Sequence, residues 1–409
     1  MMKKLIDHYL NTGETSNGSR LNEQKMKIVQ AISQRREPLT IPELSSKLKI
    51  TAPTCIKLVN QLMEAGIINE VGKKETRAGR KPFLYALDGS NFQVIAIEIL
   101  MKRVSFSIMD NHLNPIFVKH NREFALDNTP ESLQGVVKFI KDCMIEASVS
   151  SREIIGMGVG ITGRVNKLDG ESLTFFNFMG KPLAAYFSGI FDMPVFINND
   201  TRCFGMAEKI IGKAKSISNA IVINLSRGLG TSLIINNSVV EGGAGFAGEF
   251  GHMQWGLNDK VCICGKKGCL VNEVGGFTLE EQFMERITRG EKSLVTEKVS
   301  IDDIRYDDIL NAAIEGDALS IDMVQQMALR LGKALGNIVN LLNPELIIIG
   351  GKFAKARDIL IDPVKTGMAS SALVSPLKYC EIDFSEMGDL AGMKGAGALV
   401  LEHFEFIKY

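Results

Sequence analysis

The chain has 409 residues, of which 45% are hydrophobic, enough for two or three domains with packed cores. Lys and Arg balance Asp and Glu at 47 each, but residues 1–88 hold 15 basic against 9 acidic side chains, and the rest holds 32 against 38. This uneven charge argues against a protein that binds a polyanion over its whole surface. It predicts that only residues 1–88 bind a polyanion. Without an apolar run of about 18 residues or an N-terminal apolar stretch, we expect a soluble, cytoplasmic protein.

The first 88 residues contain the pattern of a small helical domain. Residues 1–20 are polar and predict a flexible arm, and apolar residues recur at near-helical spacing over Leu21 to Arg36. Thr40 and Thr51 are the expected N-caps of a second and a third helix, the latter ended by Gly66. Three helices with a tight turn between the last two predict a helix-turn-helix whose third helix lies in the major groove of DNA.

The faces of this third helix follow from the spacing of its apolar residues. We expect the buried stripe to consist of Ile56, Val59, Leu62 and Met63. The outward side would then carry Thr54, Cys55, Lys57, Asn60 and Gln61. Because Ala52 offers no side-chain donor or acceptor, Thr54 and Lys57 are the expected DNA contacts on this helix.

Two short β-like runs, Ile67 to Val71 and Phe83 to Leu87, complete a predicted winged helix-turn-helix over residues 21–88. The segment that joins them carries five basic residues, and Gly79-Arg80-Lys81-Pro82 resembles hooks that insert an arginine into a narrow A·T minor groove. Arg77, Arg80 and Lys81 are therefore predicted DNA contacts. A solvated loop or a three-helix protein-interaction module remains the alternative interpretation of the region.

From residue 89 to 409 the pattern becomes that of an α/β protein. Antiparallel strand patterns followed by a helix and a buried strand occur twice, which predicts two lobes around a cleft, with a boundary near residue 200. Asn199-Asp200 follows the apolar run Val195-Phe196-Ile197, at the strand end where α/β proteins hold ligands. The same pair could also serve as the N-terminal cap of a helix that begins near Arg202.

A histidine and three cysteines form the most specific pattern in the chain. His252, Cys262, Cys264 and Cys269 have the spacing His-x9-Cys-x-Cys-x4-Cys within a polar, glycine-rich segment. Thiolates and imidazole are preferred ligands of structural Zn²⁺, and four protein ligands leave no position open for water. We therefore predict a structural zinc site that fixes the loop bearing Glu249. Buried thiols or a disulfide are the alternatives, and the second requires an oxidising compartment.

These motifs together resemble the ROK family of repressors, open reading frames and kinases. The resemblance covers essentially the whole chain. The most specific motifs of this resemblance are Gly248-Glu249-Phe250-Gly251-His252, the cluster from Cys262 to Cys269, Asn199-Asp200 and Gly160-Ile161-Thr162-Gly163. It implies an N-terminal winged helix followed by a two-lobed actin/hexokinase-like, or ribonuclease H-like, ROK domain. It also implies that a sugar binds at Gly163, Asn199, Asp200, Glu249 and His252, with the aspartate as the general base in the kinases.

Two elements that would bind nucleotide phosphates depart from the kinase pattern. Glu98-Ile99-Leu100-Met101-Lys102 stands where ROK kinases have Asp-x-Gly-Gly-Thr, and Ser226-Arg227-Gly228 stands where they have Gly-Thr-Gly. Side chains at these glycine positions occupy the space of the phosphates. We therefore predict a degenerate sugar kinase without a catalytic residue, in which Asp200 is only the base-equivalent position. Val271 replaces a sugar-binding glutamate of the family, and Glu273 lies two residues too late to substitute.

The sequence thus favours a sugar-responsive repressor of carbohydrate genes. Its expected partners are operator DNA and a sugar or sugar-phosphate effector, and it would act as a homodimer or a dimer of dimers, because specific operators present two half-sites. One alternative is an active ATP-dependent sugar kinase with a fused DNA-binding domain. Another is a repressor captured by a protein partner at the zinc loop, where Lys266 and Lys267 are available for docking.

Overall fold

The computed structural model describes residues 16–33, 38–75, 81–88, 92–148, 154–256 and 259–404. The chain divides into two compact units. The first comprises the chain up to Asp200 and its end from Ala396, and the second extends from Thr201 to Gly395. No described helix is both long enough and apolar enough to cross a membrane.

The front of the chain forms the three helices and the hairpin that the sequence predicts. The elements are α1 (Ser16–Ser33), β1 (Leu39–Thr40), α2 (Ile41–Leu48), α3 (Ala52–Glu64), β2 (Ile68–Lys73) and β3 (Phe83–Leu87). The strands form an antiparallel sheet in the order β1-β3-β2. Buried side chains from the helices, among them Ile28, Leu44 and Leu58, form the core of this region. Most of the predicted arm, and residues 76–80 of the predicted wing, lie outside the described residues.

Helix α2 begins with a reciprocal cap that also contacts the hairpin. The backbone N–H of Glu43 donates to the Thr40 hydroxyl at 3.4 Å, and the Thr40 N–H donates to the Glu43 carboxylate at 2.8 Å. Lys74 donates to the same carboxylate at 2.6 Å from the end of β2. The hydrogen bond from Lys74 lowers the pKa of Glu43 to about 2. One carboxylate therefore stabilises both the helix start and its attachment to the hairpin.

We expect the Glu43→Ala variant to loosen α2 while leaving the rest of the domain folded. Loss of the cap and of the ion pair with Lys74 should cost about 1–2 kcal/mol. Native-state hydrogen exchange of the α2 amides should then accelerate about tenfold. The control is Glu70→Ala, because Glu70 is also exposed near the hairpin but caps no helix. Equal exchange rates in wild type and Glu43→Ala would contradict this role.

A five-stranded sheet organises the rest of the first unit. Its strands are β4 (Gln93–Leu100), β5 (Arg103–Asp110), β6 (Pro115–Asn121), β7 (Ile154–Ile161) and β10 (Val195–Asn199), in the order β10-β7-β4-β5-β6. Two short strands between β7 and β10, β8 (Val165–Asn166) and β9 (Glu171–Ser172), pair with each other in a separate sheet. Strand β7 runs parallel to β4 and β10, and the other pairs are antiparallel. Helices α4 (Pro130–Glu146) and α5 (Leu183–Phe191) contribute apolar residues to the core on this sheet. The end of the chain also packs closely, since a Cβ on Gly158 would lie 1.8 Å from the Ala396 carbonyl oxygen.

The second unit repeats the same strand order. Its strands are β11 (Ala220–Leu225), β12 (Leu229–Ile235), β13 (Ser238–Val239), β14 (Leu346–Gly350) and β15 (Glu381–Phe384), in the order β13-β12-β11-β14-β15. Its helices are α6 (Asp200–Ile211), α7 (Val271–Val274), α8 (Gly276–Thr288), α9 (Val295–Lys298), α10 (Tyr306–Ile314), α11 (Ala318–Leu342), α12 (Arg357–Ser371) and α13 (Val374–Leu377). The last helix, α14 (Ala391–His403), begins in this unit and continues in the first from Ala396. In each unit, three antiparallel strands are followed by two parallel ones on the side of the first strand. This is the duplicated α/β arrangement expected from the sequence.

Candidate functional site

The recognition helix α3 corrects two sequence-based predictions. Cys55 is fully buried, whereas Ile56 is 45% exposed, so the predicted orientations of these two residues were wrong. Because the inward face repeats at residues 55, 58, 59 and 62, it begins one position earlier than we expected. Val59 and Leu62 are buried as predicted. Ile56 consequently lies on the outward side of the helix.

The predicted DNA contacts have different surroundings. Lys57 and Asn60 are exposed on the recognition helix. Thr54 is half-buried, and its hydroxyl lies 2.8 Å from the hydroxyl of Thr51, the N-cap residue. Lys81 is exposed and donates to Glu75 at 2.8 Å. Arg77 and Arg80 lie outside the described residues. The outer side of the helix therefore presents the cation of Lys57, the amide of Asn60 and, at its end, the carboxylate of Glu64 to solvent.

A buried lysine that the sequence analysis missed lies close to this surface. Lys25 on α1 is only 3% exposed, and its pKa is lowered by burial and, to a smaller extent, by the positive charge of Lys57. The two positive charges repel each other, so an anion placed near both would relieve that repulsion. The apolar spacing of α1 gave no signal for this role, because Lys25 occupies a core-facing position in an otherwise ordinary amphipathic helix.

His252 and the three cysteines come together in a compact loop of the second unit. The Cys262 N–H donates to the Lys266 carbonyl at 2.7 Å, and the Gly265 N–H donates to the Cys262 carbonyl at 2.8 Å. Gly265 and Gly268 have φ angles of 83° and 74°, which glycine adopts at no steric cost. The glycines between the cysteines are thus what allows the chain to fold back and bring the thiols together.

The geometry of this cluster fits a tetrahedral metal site. All four ligand atoms lie within 4.8 Å of one another. The Cys264 and Cys269 sulfur atoms are 3.6 Å apart, and Cys262 Sγ lies 3.6 Å from His252 Nδ1. Metal–sulfur bonds of about 2.3 Å in a tetrahedron place neighbouring ligand atoms about 3.7 Å apart. A disulfide would need about 2.05 Å between the sulfurs, so Cys264 and Cys269 are not bonded to each other.

The first unit brings together three of the residues expected to bind a sugar. Asn199 ends β10 and Asp200 begins α6, next to the carboxyl end of the parallel strand β7. The Asn199 side-chain amide donates to the Gly163 carbonyl and to the Asp200 carboxylate, both at 2.9 Å. Gly163 has a φ of 95°, and a Cβ there would lie 2.7 Å from the Thr174 side chain. The amide and the carboxylate are therefore held in one orientation at the end of the sheet.

The second unit holds the other two predicted sugar ligands. Glu249 precedes a short 3-10 turn, Phe250–His252, which ends at His252, and both side chains are accessible. Arg202 of α6, which is 2% exposed, donates to the Ala247 carbonyl at 2.9 Å and lies 3.5 Å from the Glu249 carboxylate. Arg202 therefore positions the loop that bears Glu249. Sequence reasoning missed it, because no pattern connects two charges that are 47 residues apart.

Gly248 allows this loop to approach β12. It has a φ of 87°, and a Cβ would lie 2.5 Å from the Thr231 carbonyl oxygen. We expect Gly248→Ala to destabilise the second unit by about 1–3 kcal/mol and to displace Glu249. Differential scanning calorimetry should show the loss. Gly243→Ala is the matched control, because its Cβ would meet no atom within 4 Å. Unfolding temperatures that are equal for both variants would contradict this account.

The hairpin at Glu98-Ile99-Leu100-Met101-Lys102, which departs from the kinase pattern, contains a largely buried ion pair. Strands β4 and β5 pair as far as Leu100 and Arg103, leaving Met101 and Lys102 as a two-residue turn. The Arg103 guanidinium donates to the Glu98 carboxylate at 2.7 Å, and both side chains are largely buried. The acidic group of this motif is therefore neutralised inside the protein.

The segment Ser226-Arg227-Gly228, which also departs from the kinase pattern, is hydrogen-bonded to other parts of the protein. The N–H groups of Gly276 and Phe277, at the start of α8, donate to the carbonyls of Ser226 and Arg227 at 2.9 and 3.0 Å. The Ser226 hydroxyl accepts from the Lys352 N–H at 3.0 Å. Helix N-terminal N–H groups, which could bind a phosphate, are thus already bound to carbonyls. Val271 is buried, and Glu273 lies 3.9 Å from Arg330.

Comparison with known proteins identifies both parts of the chain. The ROK family profile matches residues 94–403, and a winged helix-turn-helix DNA-binding profile matches residues 21–69.

Relatives and solved structures agree with these matches along most of the chain. A protein described as a putative xylose repressor of Caldicellulosiruptor sp. is 24% identical over 92% of this chain and 95% of its own length. The xylose repressor of Bacillus spizizenii is 26% identical over 90% of this chain and 93% of its own length. The transcriptional dual regulator NagC of Escherichia coli is 24% identical over 90% and 91%.

Among solved structures, a ROK family transcriptional regulator described as a homolog of E. coli MLC has a TM-score of 0.78 at 24% identity, covering 93% of this chain and 96% of its own. A ROK glucokinase from Streptomyces griseus has a TM-score of 0.66 at 23% identity, covering 75% and 98%. The first structure shares the fold of nearly the whole chain, whereas the glucokinase matches about three quarters of it. Because the family profile covers most of the sequence, the chain belongs to the ROK family.

Proposed function

We propose that this protein is a transcriptional repressor of carbohydrate genes whose DNA binding responds to a sugar or sugar phosphate. The observation that carries the proposal is the similarity to sugar repressors, which extends through the winged helix and the ROK domain together. In this proposal residues 21–88 bind operator DNA and residues 89–409 bind the effector.

The charges of the front region support binding to DNA. Lys57 is exposed on the outer side of α3, and buried Lys25 increases the positive potential at that surface. Lysine side chains that neutralise phosphates release counterions and supply most of the non-specific affinity. Thr54, Arg77, Arg80 and Lys81 are the further contacts that we propose. Each chain offers one recognition helix, so a specific operator with two half-sites requires a homodimer or a dimer of dimers.

The chemistry of the ROK domain supports recognition of sugar hydroxyls. Asp200 and Glu249 provide carboxylate acceptors, Asn199 provides an amide, and Gly163 fixes the orientation of that amide. Hydroxyl groups pair with such acceptors and donors, and a site built for them rejects ligands that lack them. Because Val271 is buried beside the cysteine cluster and Glu273 faces Arg330, neither residue supplies an additional acidic sugar ligand.

We propose structural zinc as the ion held by His252, Cys262, Cys264 and Cys269. The three sulfurs and one nitrogen are the ligand types that zinc prefers, and their separations match a tetrahedral shell. Burial and the neighbouring thiols raise the pKa of Cys269 to about 12, so three thiolates need a cation to coexist. The ion would hold His252 and the adjacent Glu249 in a fixed geometry for the sugar.

The nucleotide-binding elements support a repressor without kinase activity. Leu100 and Met101 occupy the phosphate-loop glycine positions, and Arg103 neutralises Glu98 where a kinase would expose the acid. The N–H groups at the start of α8 donate to carbonyl groups of the loop that contains Ser226. Losing several kcal/mol of phosphate stabilisation would lower a transfer rate by orders of magnitude. The ROK domain therefore acts as a sensor in this proposal.

Electrophoretic mobility shift assays test the proposal directly. The zinc-loaded protein should select a specific duplex from randomised DNA, and at least one sugar or sugar phosphate should change its affinity for that duplex. An effector can do so only by binding the two states of the protein with different affinities. A protein that selects no DNA sequence would overturn the proposal.

An active sugar kinase is the second candidate, because Asp200 and the fold shared with a glucokinase are both present. A coupled ADP-release assay over hexoses and amino sugars distinguishes the two functions. Turnover that disappears in the Asp200→Asn variant would favour the kinase, whereas the absence of turnover supports the repressor.

A further inference from the structure

We propose that Ile56 recognises thymine through its 5-methyl group, so that the first half of the recognition helix adds an apolar contact with a base to the polar contacts proposed for Thr54 and Lys57. This inference rests on the proposed function, because it names the base that the DNA-binding surface selects. It assigns a sequence-reading role to a residue whose spacing predicted a place in the core.

The exposure of the outward face of α3 carries the inference. Ile56 is 45% exposed, and Ala52 and Pro53, one turn earlier, are also exposed. Residues three or four positions apart are neighbours on a helix, so the exposed side chains of Ala52 and Pro53 lie next to Ile56 on the first two turns. Cys55 and Val59, on the inward side of the helix, are fully buried in the domain core. The core therefore does not account for the position of Ile56.

The polar groups near Ile56 indicate which edge of the DNA it would meet. The hydroxyls of Thr51 and Thr54 lie 2.8 Å from each other, and the Thr54 N–H donates to Thr51 at the helix cap. These hydroxyls stabilise the start of the helix. Of the exposed residues on its first two turns, Ala52, Pro53 and Ile56 are apolar, and Lys57 is charged. In the major groove the thymine methyl is the apolar group that distinguishes A·T from G·C pairs.

The flanking charges favour DNA over a second protein copy as the occupant of this surface. Lys57 is exposed beside Ile56. The same basic side chain on a second copy would repel it, whereas a phosphate flanking a major groove would neutralise Lys57. Asn60 is exposed one turn after Ile56, and its amide can pair with adenine. We therefore expect a half-site in which a thymine lies under Ile56.

The test removes the methyl group from the DNA. Binding sites are selected from a randomised duplex library by the full-length wild-type protein, and each conserved thymine of the selected duplex is then replaced by uracil. Uracil lacks only the 5-methyl group. At one position the wild-type affinity should fall about fourfold, the value expected for one buried methyl group. Ile56→Ala should bind the thymine duplex about fourfold or more weakly and show no further loss with uracil.

Two variants make the comparison specific. Ile56→Val keeps a branched apolar side chain and should keep most of the discrimination between thymine and uracil. Ile301→Ala removes an isoleucine of similar exposure, 48%, from the second unit and should behave as wild type. Since Ile56 is not a core residue, Ile56→Ala should retain the wild-type circular dichroism spectrum.

The outcomes separate this inference from the proposed function. If the wild type binds thymine and uracil duplexes equally, or if Ile56→Ala keeps the uracil penalty, the inference is wrong while DNA binding stands. If light scattering shows that Ile56→Ala has lost its oligomeric state, Ile56 belongs to a contact between copies and the inference is also wrong. Failure to select any sequence would overturn the proposed function itself.

Discussion

The Cys264→Ser variant should lose the zinc that we expect to copurify with the wild-type protein. Cys264 is exposed, so its replacement removes a metal ligand without opening a cavity in the core. Structural zinc sites contribute about 10–16 kcal/mol of apparent binding free energy in zinc-finger peptides, and that energy is folding energy for the loop. We expect zinc affinity to fall by at least about 100-fold and hydrogen exchange to accelerate between Met253 and Cys269.

Metal content by mass spectrometry and exchange of the loop amides check this prediction together. Cys380→Ser is the matched control, because Cys380 is a half-buried free thiol outside the cluster. Full zinc content in Cys264→Ser would show that the four residues do not act as one site. Loss of zinc without any change in loop exchange would instead show that the metal does not order the loop.

The Asp200→Asn variant should lose its response to the sugar while keeping its affinity for DNA. The substitution preserves the size of the side chain but removes the charge that accepts from Asn199 at 2.9 Å. Hydrogen bonds to a charged group contribute about 1.5–3 kcal/mol each, so losing two to sugar hydroxyls should weaken binding by about 100-fold or more. Thermal shift against sugars and sugar phosphates checks the loss, since a ligand specific to the native state raises the melting temperature.

Asp192→Asn is the control for this experiment. Asp192 is exposed after α5 and has a φ of 48°, which asparagine also tolerates. It should keep the wild-type thermal shift. If Asp200→Asn binds the sugar as tightly as the wild type does, the proposed sugar site is misplaced. If it loses DNA binding as well, Asp200 has a structural role that the proposal does not include.

The strands were the easiest part of the fold to predict. The buried strand predicted in the first lobe is Ile154–Ile161, and all eight of its residues are buried, so the sequence shows one uninterrupted apolar and glycine run. The helix Arg357–Ser371 had no prediction, since Pro363 lies inside it and its apolar residues follow a weak helical pattern. The recognition helix was predicted, but its buried face was assigned wrongly. Cys55 and Ile56 are both apolar, and the spacing alone did not decide which of them faces inward.

Local motifs predicted more of the candidate site than isolated charges did. The cysteine cluster lies within eight residues of the sequence, and the structure brings its ligand atoms together as the spacing indicates. Arg202 and Lys25 gave no signal, because each is a single charge in a largely apolar helix face and its neighbours are distant in sequence. Such residues become interpretable only when the fold shows which carboxylate or lysine lies beside them.

The measurement that tests the central claim is a fluorescence anisotropy titration of the selected operator duplex with and without sugars and sugar phosphates. We expect at least one ligand to change the operator affinity of the zinc-loaded wild type by about 5–150-fold, the usual range of coupling between two sites. The change should be absent in Asp200→Asn. If no ligand alters the operator affinity and the same protein transfers phosphate from ATP to a sugar, the ROK domain is a working kinase and the account is wrong.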